Sequence, residues 1–351
     1  MKLHDFDYEL PGELIAQHPS PRRGGSRLIL YERRSGEIRE TRFTNFPRYL
    51  QEGDLLVVNE SKVIPARIHA RRKTGAAVEI FLTRRLSPGV WHAMIRPARR
   101  ITPGEIVLVG DADHPVTIVR REERGTWRVK LPDGIDERSF LREYGHVPLP
   151  PYIRRMDGEE DRARYQTVFA HHEGSVAAPT AGLHFSEAIV RDIARRGVTL
   201  VPLTLHVGPG TFRPLASEEV EHNEVSPEYV MIRSECWKEI EEAKRRNRRI
   251  VAVGTTTTRA LESLASGSLT EREEQCLGGE GYITGWSDLF IYPGFRFQAV
   301  DALLTNLHLP RSSLLLLVAA FAGREEILRV YHWAISRKFR FYSYGDVMYI
   351  R

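Results

Sequence analysis

The sequence is poor in cysteine and in long apolar runs, and both shortages restrict what the protein can be. Among its 351 residues only Cys236 and Cys276 are cysteines. Two thiols are too few for an iron–sulfur cluster or a structural zinc site without further ligands. The longest apolar run, Leu314–Ala322, has about half the length of a membrane-spanning helix. The segment Met1–Phe6 lacks the apolar centre of a secretory signal. We therefore expect a cytoplasmic protein that does not enter a membrane.

Two common catalytic signatures are also missing. Gly279 and Gly281 begin a dinucleotide-binding pattern, but its third glycine is absent, which argues against a conventional Rossmann enzyme. The His-Glu-x-x-His metal motif does not occur. The neighbouring His171 and His172 would point to opposite faces of a strand, so we do not expect them to share a ligand. We predict that the protein holds no metal and no permanently bound cofactor.

The composition is that of a globular protein with a modest excess of positive charge. Hydrophobic residues make up 42% and charged residues 28%, and the net charge is +5. The basic residues are clustered at Arg22, Arg23 and Arg27, at Arg71–Lys73, at Arg99–Arg100 and at Lys244–Arg249. Such clusters suit a polyanion such as nucleic acid, although a solvated basic face has the same composition.

The residues from 63 to 152 have a strand-like pattern that differs from the rest of the chain. Short segments of alternating apolar and polar residues are separated by turns rich in glycine and proline. The predicted strands are Ala66–Arg72, Ala76–Arg84, Val90–Arg96, Glu105–Val109, Val116–Arg121 and Thr126–Leu131. This spacing predicts a small all-β, barrel-like domain inserted into the chain.

On either side of this insertion, strand and helix patterns alternate. Predicted strands are 54–59, 198–205 and 249–253, and predicted helices are 185–196, 235–246, 258–265, 313–322 and 325–336. Alternation of this kind indicates an α/β fold with a mostly parallel or barrel-like sheet covered by helices. We predict that residues 1–62 and 153–351 together form one large, discontinuous α/β domain.

Four segments of this large domain combine glycine or proline with threonine, histidine or arginine next to apolar stretches. They are Pro179–Phe185, Thr204–Phe212, Gly254–Glu262 and Leu304–Ser313. Glycine permits tight turns and close ligand approach, and the polar side chains supply hydrogen-bonding groups. Polar loops at the ends of apolar strands are typical of ligand pockets in α/β proteins.

One segment, Arg249–Glu262, reads as a strand, a glycine turn and a helix. Thr256 and Thr257 would lie at the helix N-terminus, where free amides and the helix dipole favour an anion. Arg259 adds a planar guanidinium suited to carboxylate or phosphate. Ordinary capping by one threonine is the simpler explanation, but four threonines in a row exceed that need.

Histidine is the side chain best suited to proton transfer near neutral pH. His206 follows a strand, so we expect it at the carboxyl edge of the sheet, where α/β proteins bind ligands. His184 lies between two apolar residues, and a structural role in the core competes with a functional one. Further candidate binding residues in these loops and near the C-terminus are Thr180, Gly182, Gly208, Gly210, Thr211, Arg213, Asn306, His308, Arg311 and Asp346.

The order of these motifs resembles a known family. Asp5–Pro11 and Gly53–Arg67 precede the four loops, and Phe341–Met348 follows them. Together the segments resemble the S-adenosylmethionine:tRNA ribosyltransferase-isomerases of queuosine biosynthesis over nearly the whole length of the chain.

The resemblance implies a specific reaction. The ribosyl group of S-adenosylmethionine (SAM), a substrate rather than a cofactor, would be transferred and isomerised onto the amine of 7-aminomethyl-7-deazaguanine at the tRNA wobble position. Epoxyqueuosine would form, and adenine and methionine would be released. We assign acid–base work to His184 and His206, in an undetermined order, and the anion contact to Arg259 with the threonine turn.

The resemblance also implies that tRNA and SAM are the partners. The inserted β domain would contact phosphates of the anticodon arm while an unstacked base enters the pocket. We expect a monomer, because no heptad or long exposed apolar helix face is evident. Two alternatives remain at this stage: an RNA methyltransferase of unusual fold that uses SAM, and a non-catalytic RNA-binding protein.

Overall fold

Two large β-sheets organise the chain, and helices pack against both of them. The structure, a computed structural model, describes residues 1–122 and 125–351. The strands are β1 (Arg27–Glu32), β2 (Glu37–Arg42), β3 (Leu55–Asn59), β4 (Ser61–Val63), β5 (Arg67–Arg72), β6 (Ala77–Ser87), β7 (Val90–Arg96), β8 (Glu105–Val109), β9 (His114–Arg121), β10 (Trp127–Lys130), β11 (Gly145–His146), β12 (His172–Ser175), β13 (Thr199–His206), β14 (Glu228–Arg233), β15 (Ile250–Val253), β16 (Thr270–Leu277), β17 (Glu280–Ser287), β18 (Ala302–Asn306) and β19 (Val347–Ile350). The helices are α1 (Glu137–Tyr144), α2 (Glu159–Arg164), α3 (Glu187–Arg195), α4 (Ser234–Arg245), α5 (Thr255–Ser266), α6 (Ser313–Ala322) and α7 (Arg324–Ser336).

The smaller sheet closes into an antiparallel barrel. Its strands follow one another in the order β5, β6, β7, β10, β9 and β8, and β8 pairs back with β5. On β6, Val78, Ile80 and Leu82 point inward, because alternate residues of a strand face the same side. The predicted small β-barrel is confirmed. The domain boundaries at residues 63 and 152 stay a prediction.

The larger sheet has ten strands in the order β16-β17-β14-β13-β3-β15-β18-β19-β1-β2. The four central strands, β13, β3, β15 and β18, are parallel. The strands β14, β17 and β16 extend one side with antiparallel pairings, and β19 is antiparallel to β18. The prediction of a mostly parallel sheet was therefore wrong, since the sheet is mixed.

The hairpin of β16 and β17 explains part of this difference. Gly278 and Gly279 form its turn with φ angles of 62° and 90°, which glycine adopts without strain. Strand β16 is exposed along nearly its whole length and carries charged residues rather than an apolar face. Its sequence therefore reads as a polar loop, although it forms a strand that includes Cys276.

The central strand β3 shows why the middle of the sheet is apolar throughout. Leu55 and Val57 pack into one hydrophobic core, whereas Leu56 and Val58 pack into another on the opposite face. Both faces are buried, so the strand has no polar alternation. The polar residues of this part of the chain are consequently found in the loops at the strand ends.

Helices α3 to α7 match the five predicted helices, whereas α1 and α2 were not predicted. The Ser186 side chain caps α3 and the Ser312 side chain caps α6 by accepting backbone hydrogen bonds. Helix α5 begins at Thr255 instead of the predicted Thr258, so the threonines lie inside its first turn. Among the described residues, none of the helices combines the length and the apolar character required of a membrane span.

Candidate active site

An enclosed cavity of about 550 Å³ lies at the carboxyl ends of the central parallel strands. This is the edge at which α/β sheets bind ligands, and the volume lies in the range of small-molecule sites. Strand β15 leads through Gly254, with a φ of 92°, into α5, and β18 ends at Asn306 beside it. The predicted site residues that line this cavity are Thr180, Thr211, Arg213, Thr256, Asn306, His308 and Arg311.

The first turn of α5 offers a hydroxyl group to this cavity. The Thr257 hydroxyl donates to the Val253 carbonyl at 2.7 Å, and the Thr258 hydroxyl donates to the Gly254 carbonyl at 3.1 Å. In contrast, Thr256 Oγ1 is buried without a hydrogen-bond partner in the described part of the chain. Amides at a helix N-terminus also lack partners within the helix. Of the two predicted threonines, Thr256 is therefore the one available to a ligand.

Arg259, the predicted anion contact, is not among the residues that line the cavity. Its guanidinium forms an ion pair with Glu228 on β14, and both side chains are largely buried. Burial lowers the pKa of Arg259 to about 10, so the group still carries its charge at neutral pH. The pairing with Glu228 occupies one edge of the guanidinium, while its Nε is buried without a partner among the described residues, so a substrate contact of Arg259 stays a prediction.

Glu228 connects this ion pair to the loop that follows β13. One of its oxygens, Oε1, accepts hydrogen bonds from the backbone N–H of Gly208 at 2.9 Å and from the Thr211 hydroxyl at 3.1 Å. The loop from Val207 to Arg213 is thus tied to α5 through one buried carboxylate. This positioning role did not follow from the sequence, because Glu228 lies outside every glycine-rich motif.

His184 is buried in a hydrogen-bonded chain of side chains beneath the cavity. Its Nδ1 lies 2.8 Å from Ser26 Oγ, and its Nε2 lies 3.1 Å from the Asn306 amide nitrogen. Asn306 in turn accepts a hydrogen bond from the Thr180 hydroxyl at 2.9 Å. Burial and the nearby Arg340 charge lower the pKa of His184 to about 3, so the ring is neutral. The ring therefore reaches the cavity only through Asn306.

His308 contributes a second neutral imidazole, and this one lines the cavity. Its Nε2 lies 2.8 Å from the Thr305 hydroxyl, and its backbone N–H donates to Tyr331. Burial lowers the pKa of His308 to about 3. Arg311, at the mouth of the same loop, adopts a φ of 57° and donates to Glu218 at 3.0 Å.

His206 lies in a second, larger space, an open cleft of about 1070 Å³ between the barrel and the large sheet. Its Nδ1 lies 2.7 Å from the buried Ser61 hydroxyl, and its ring stacks on Tyr229 at 6.0 Å. A Cβ atom at Gly174 would come within 2.8 Å of the ring, so that position requires glycine. Burial, with a smaller contribution from His172, lowers the pKa of His206 to about 4.

The enclosed cavity and the cleft share part of their lining. Val207 and Arg213 border both spaces, and Gly208 borders the cleft. The Arg213 side chain is exposed, and no carboxylate among the described residues lies within ion-pair distance of it. The loop after β13 therefore separates a small buried pocket from a large open one, with an arginine at the boundary.

The remaining predicted residues line neither space. Gly210 packs against Ser226, whose Oγ would lie 2.6 Å from an added Cβ, and an added Cβ at Gly182 would lie 2.8 Å from Thr167 Cγ2. The Asp346 carboxylate accepts hydrogen bonds from two backbone N–H groups at 2.8 Å, and burial raises its pKa. These contacts are structural, and binding roles for these residues remain untested predictions.

One group of side chains has the spacing of a metal site. Glu60, His171 and His172 each offer a ligand atom within 4.8 Å of the others. The expectation that the two histidines point apart was wrong: their rings lie 4.5 Å apart, because only His172 belongs to β12. Two imidazoles and a carboxylate are a ligand set for divalent transition metals. The prediction that the protein holds no metal stays untested.

Comparison with known proteins identifies the family. The profile of the queuosine biosynthesis protein family matches residues 3–350. Proteins named S-adenosylmethionine:tRNA ribosyltransferase-isomerase from Aquifex aeolicus and Halothermothrix orenii are 47% and 44% identical to the chain, with 100% of each chain covered. The crystal structure of S-adenosylmethionine tRNA ribosyltransferase from Thermotoga maritima matches with a TM-score of 0.55 and 36% identity, over 99% of this chain and 100% of that one. The chain therefore belongs to the queuosine biosynthesis protein family, as its motifs predicted.

Proposed function

We propose that the protein transfers and isomerises the ribosyl group of SAM onto the amine of 7-aminomethyl-7-deazaguanine at the tRNA wobble position. New bonds join that amine to a ribose carbon, close the ribose carbons into a five-membered carbocycle and form the epoxide. The bonds that break join ribose carbons to adenine, to the sulfur of methionine, to the ring oxygen and to one hydrogen, and one N–H bond of the amine also breaks. Adenine takes up one of the two protons, and the other is released. Epoxyqueuosine in tRNA, adenine and methionine are the products, and the exchange needs no external oxidant or reductant.

The enclosed cavity is the observation that carries this proposal. It combines an apolar lining with a few polar groups, which is the usual character of a small-molecule site. Its position at the carboxyl edge of the parallel strands suits a nucleoside such as SAM. The adjoining cleft gives a second, larger substrate access to the same region through Val207 and Arg213.

We assign the methionine carboxylate of SAM to the N-terminus of α5. Thr256 supplies a hydroxyl that has no hydrogen-bond partner among the described residues, and the helix dipole favours a negative charge there. Arg259 acts indirectly in this arrangement, because its pairing with Glu228 positions the loop that carries Gly208 and Thr211. This replaces the direct contact that the sequence suggested for Arg259.

The sulfonium of SAM acidifies the neighbouring ribose hydrogens, so the reaction calls for a base and later for an acid at the departing adenine. We assign proton transfer to His206, which borders the cleft and is neutral at pH 7. His184 acts in this proposal through Asn306, which it holds at the cavity wall. A direct acid–base role for His184 has less support, because the ring does not line the cavity.

The test incubates the protein with SAM and an anticodon stem–loop RNA that carries 7-aminomethyl-7-deazaguanine. Mass spectrometry then follows both the RNA and the small molecules. We expect an RNA mass gain matching an epoxycyclopentane derived from ribose, together with free adenine and methionine. Transfer of one methyl group with release of S-adenosylhomocysteine would instead make the protein a methyltransferase. RNA binding without any chemical change would contradict an enzymatic role.

A further inference from the structure

We propose that the cleft between the barrel and the large sheet is the RNA site, in which an unpaired base stacks on Tyr229 and Trp286 while arginines on the barrel side contact phosphates. The inference rests on the proposed function for the identity of the polyanion. It goes further by naming the surface and the side chains that hold the RNA. The argument comes from three features of the cleft: its aromatic row, its charge balance and its connection to the enclosed cavity.

Three aromatic rings lie side by side across neighbouring strands at the bottom of the cleft. His206 on β13 is paired with Tyr229 on β14, which is paired in turn with Trp286 on β17. The ring centroids of His206 and Tyr229 lie 6.0 Å apart, and those of Tyr229 and Trp286 lie 5.4 Å apart. All three rings are half-buried and line the cleft.

A row of partly exposed rings is the feature that proteins use to hold single-stranded nucleic acid, because every base has a face that stacks on an aromatic ring. RNA is recognised mainly at such unpaired, unstacked nucleotides, since side chains cannot read the deep groove of an RNA helix. The aromatic row is therefore suited to an anticodon-loop base rather than to a base-paired stem.

The barrel side of the cleft adds positive charge directly above this row. The Arg84 guanidinium lies 4.2 Å from the centre of the Trp286 ring. In the described part of the chain, no carboxylate lies within ion-pair distance of Arg84. Arg213, on the opposite side, is likewise without a carboxylate partner among the described residues. Both charges are thus available to phosphate groups.

The cleft is also lined by five carboxylates, and four of them are already paired with cations; the five are Glu122, Asp136, Glu137, Glu173 and Glu228. Glu173 is shared between Lys62 at 2.9 Å and Arg138 at 3.1 Å, and Glu122 faces two arginines. Glu137 pairs with Arg85, Glu228 pairs with Arg259, and Asp136 accepts the Ser139 N–H at the start of α1. The charges of Arg84 and Arg213 are therefore the ones in the lining that no carboxylate of the described residues neutralises by direct pairing. Phosphates bind to such clusters with release of counterions, so the binding should weaken steeply with salt.

The position of His206 links this surface to the chemistry. The row of rings ends at His206, and the next residue, Val207, already lines the enclosed cavity. A base held on Tyr229 therefore lies near the boundary across which the acceptor amine must meet the ribosyl donor. A nucleotide bound elsewhere on the barrel would have no such access.

The test measures the affinity of the full-length protein for an unmodified anticodon stem–loop RNA by fluorescence anisotropy, without SAM. Trp286→Ala should weaken binding roughly 5- to 160-fold, the range for loss of one base–aromatic stack. Trp286→Phe should retain most of the affinity. Arg84→Gln should lower the slope of log Kd against log salt by about 0.7, the contribution of one phosphate contact to a single strand.

Matched controls come from the C-terminal end of α7, where Arg337, the residue after the helix, lies 4.8 Å from the Trp333 ring in the same kind of cation–π pair. Trp333→Ala and Arg337→Gln should leave RNA affinity and its salt slope unchanged. Thermal unfolding of each variant separates loss of the RNA site from loss of the fold. Because Arg84 is exposed, its replacement tests the proposal even if Trp286→Ala proves unstable.

The proposal would be overturned if folded Trp286→Ala and Arg84→Gln kept the RNA affinity and the salt slope of the wild type. The reaction assay on these variants would then show whether the proposed function still stands. Conversely, weaker RNA binding with unaltered SAM binding, measured by calorimetry, would support the cleft as the RNA site even if the wild-type protein formed a different product.

Discussion

The buried ion pair between Glu228 and Arg259 gives the sharpest prediction about this molecule. The two side chains are only 2% and 13% exposed, so neither charge has water to replace its partner. Glu228→Gln keeps the shape of the side chain and the oxygen that accepts from Gly208 and Thr211. The substitution therefore removes the negative charge with little change to the local hydrogen bonds.

We expect Glu228→Gln to lower the free energy of unfolding by about 3–5 kcal/mol, because it leaves the charge of Arg259 buried without compensation. A matched surface control is Glu242→Gln on α4, which removes the partner of Arg245 and Arg246. These arginines are 73% and 70% exposed, so the control should cost under about 1 kcal/mol.

Urea denaturation followed by circular dichroism measures both values on one scale. The double variant Glu228→Gln with Arg259→Met completes the test, since it removes the stranded charge as well. It should be more stable than the sum of the single changes implies. If Glu228→Gln costs no more than Glu242→Gln, the pair does not hold the loop after β13, and the positioning role given to Arg259 is wrong.

Three further predictions concern the two spaces and their histidines. Thr256→Val should weaken SAM binding roughly 2- to 12-fold, as expected for loss of one hydrogen bond, whereas Thr257→Val should leave the Kd unchanged but lower stability. Calorimetry measures the Kd for SAM in both variants, and equal effects would contradict the assignment of Thr256. His206→Ala should lower turnover more than about a hundredfold at saturating substrates, while near-normal turnover would refute its part in proton transfer. His308→Gln should make the free energy of unfolding less dependent on pH below neutrality. The folded-state pKa of His308 is about 3, below the usual value of about 6.5. The wild type therefore loses about 1.4 kcal/mol of stability per pH unit from this group as the pH falls between those values. Denaturation at about pH 7 and about pH 4.5 should show the stability difference between variant and wild type moving by roughly 2–3 kcal/mol in favour of the variant, and a constant difference would contradict the low pKa.

Some parts of the fold could be read from the sequence with little error. The strands β7 and β8 and the helix α6 have the boundaries that the sequence predicts. Their signals are local, because alternation along a strand and a serine before an apolar helix act within a few residues. The mixed order of the large sheet was not predictable in this way, since pairing between β14 and β17 depends on contacts between distant segments.

In the candidate site, too, local features were predictable from the sequence and contacts between distant segments were not. The sequence alone determined the family, the barrel and the polar loops at the strand ends, because these depend on residue types and their local spacing. Only the tertiary structure decided that Arg259 faces Glu228, and that His184 is held by Ser26, which lies 158 residues away in the chain. It also brought His206, Tyr229 and Trp286 into one row. Which partner a polar side chain meets depends on the packing of distant segments, and burial then sets whether that side chain is charged or neutral.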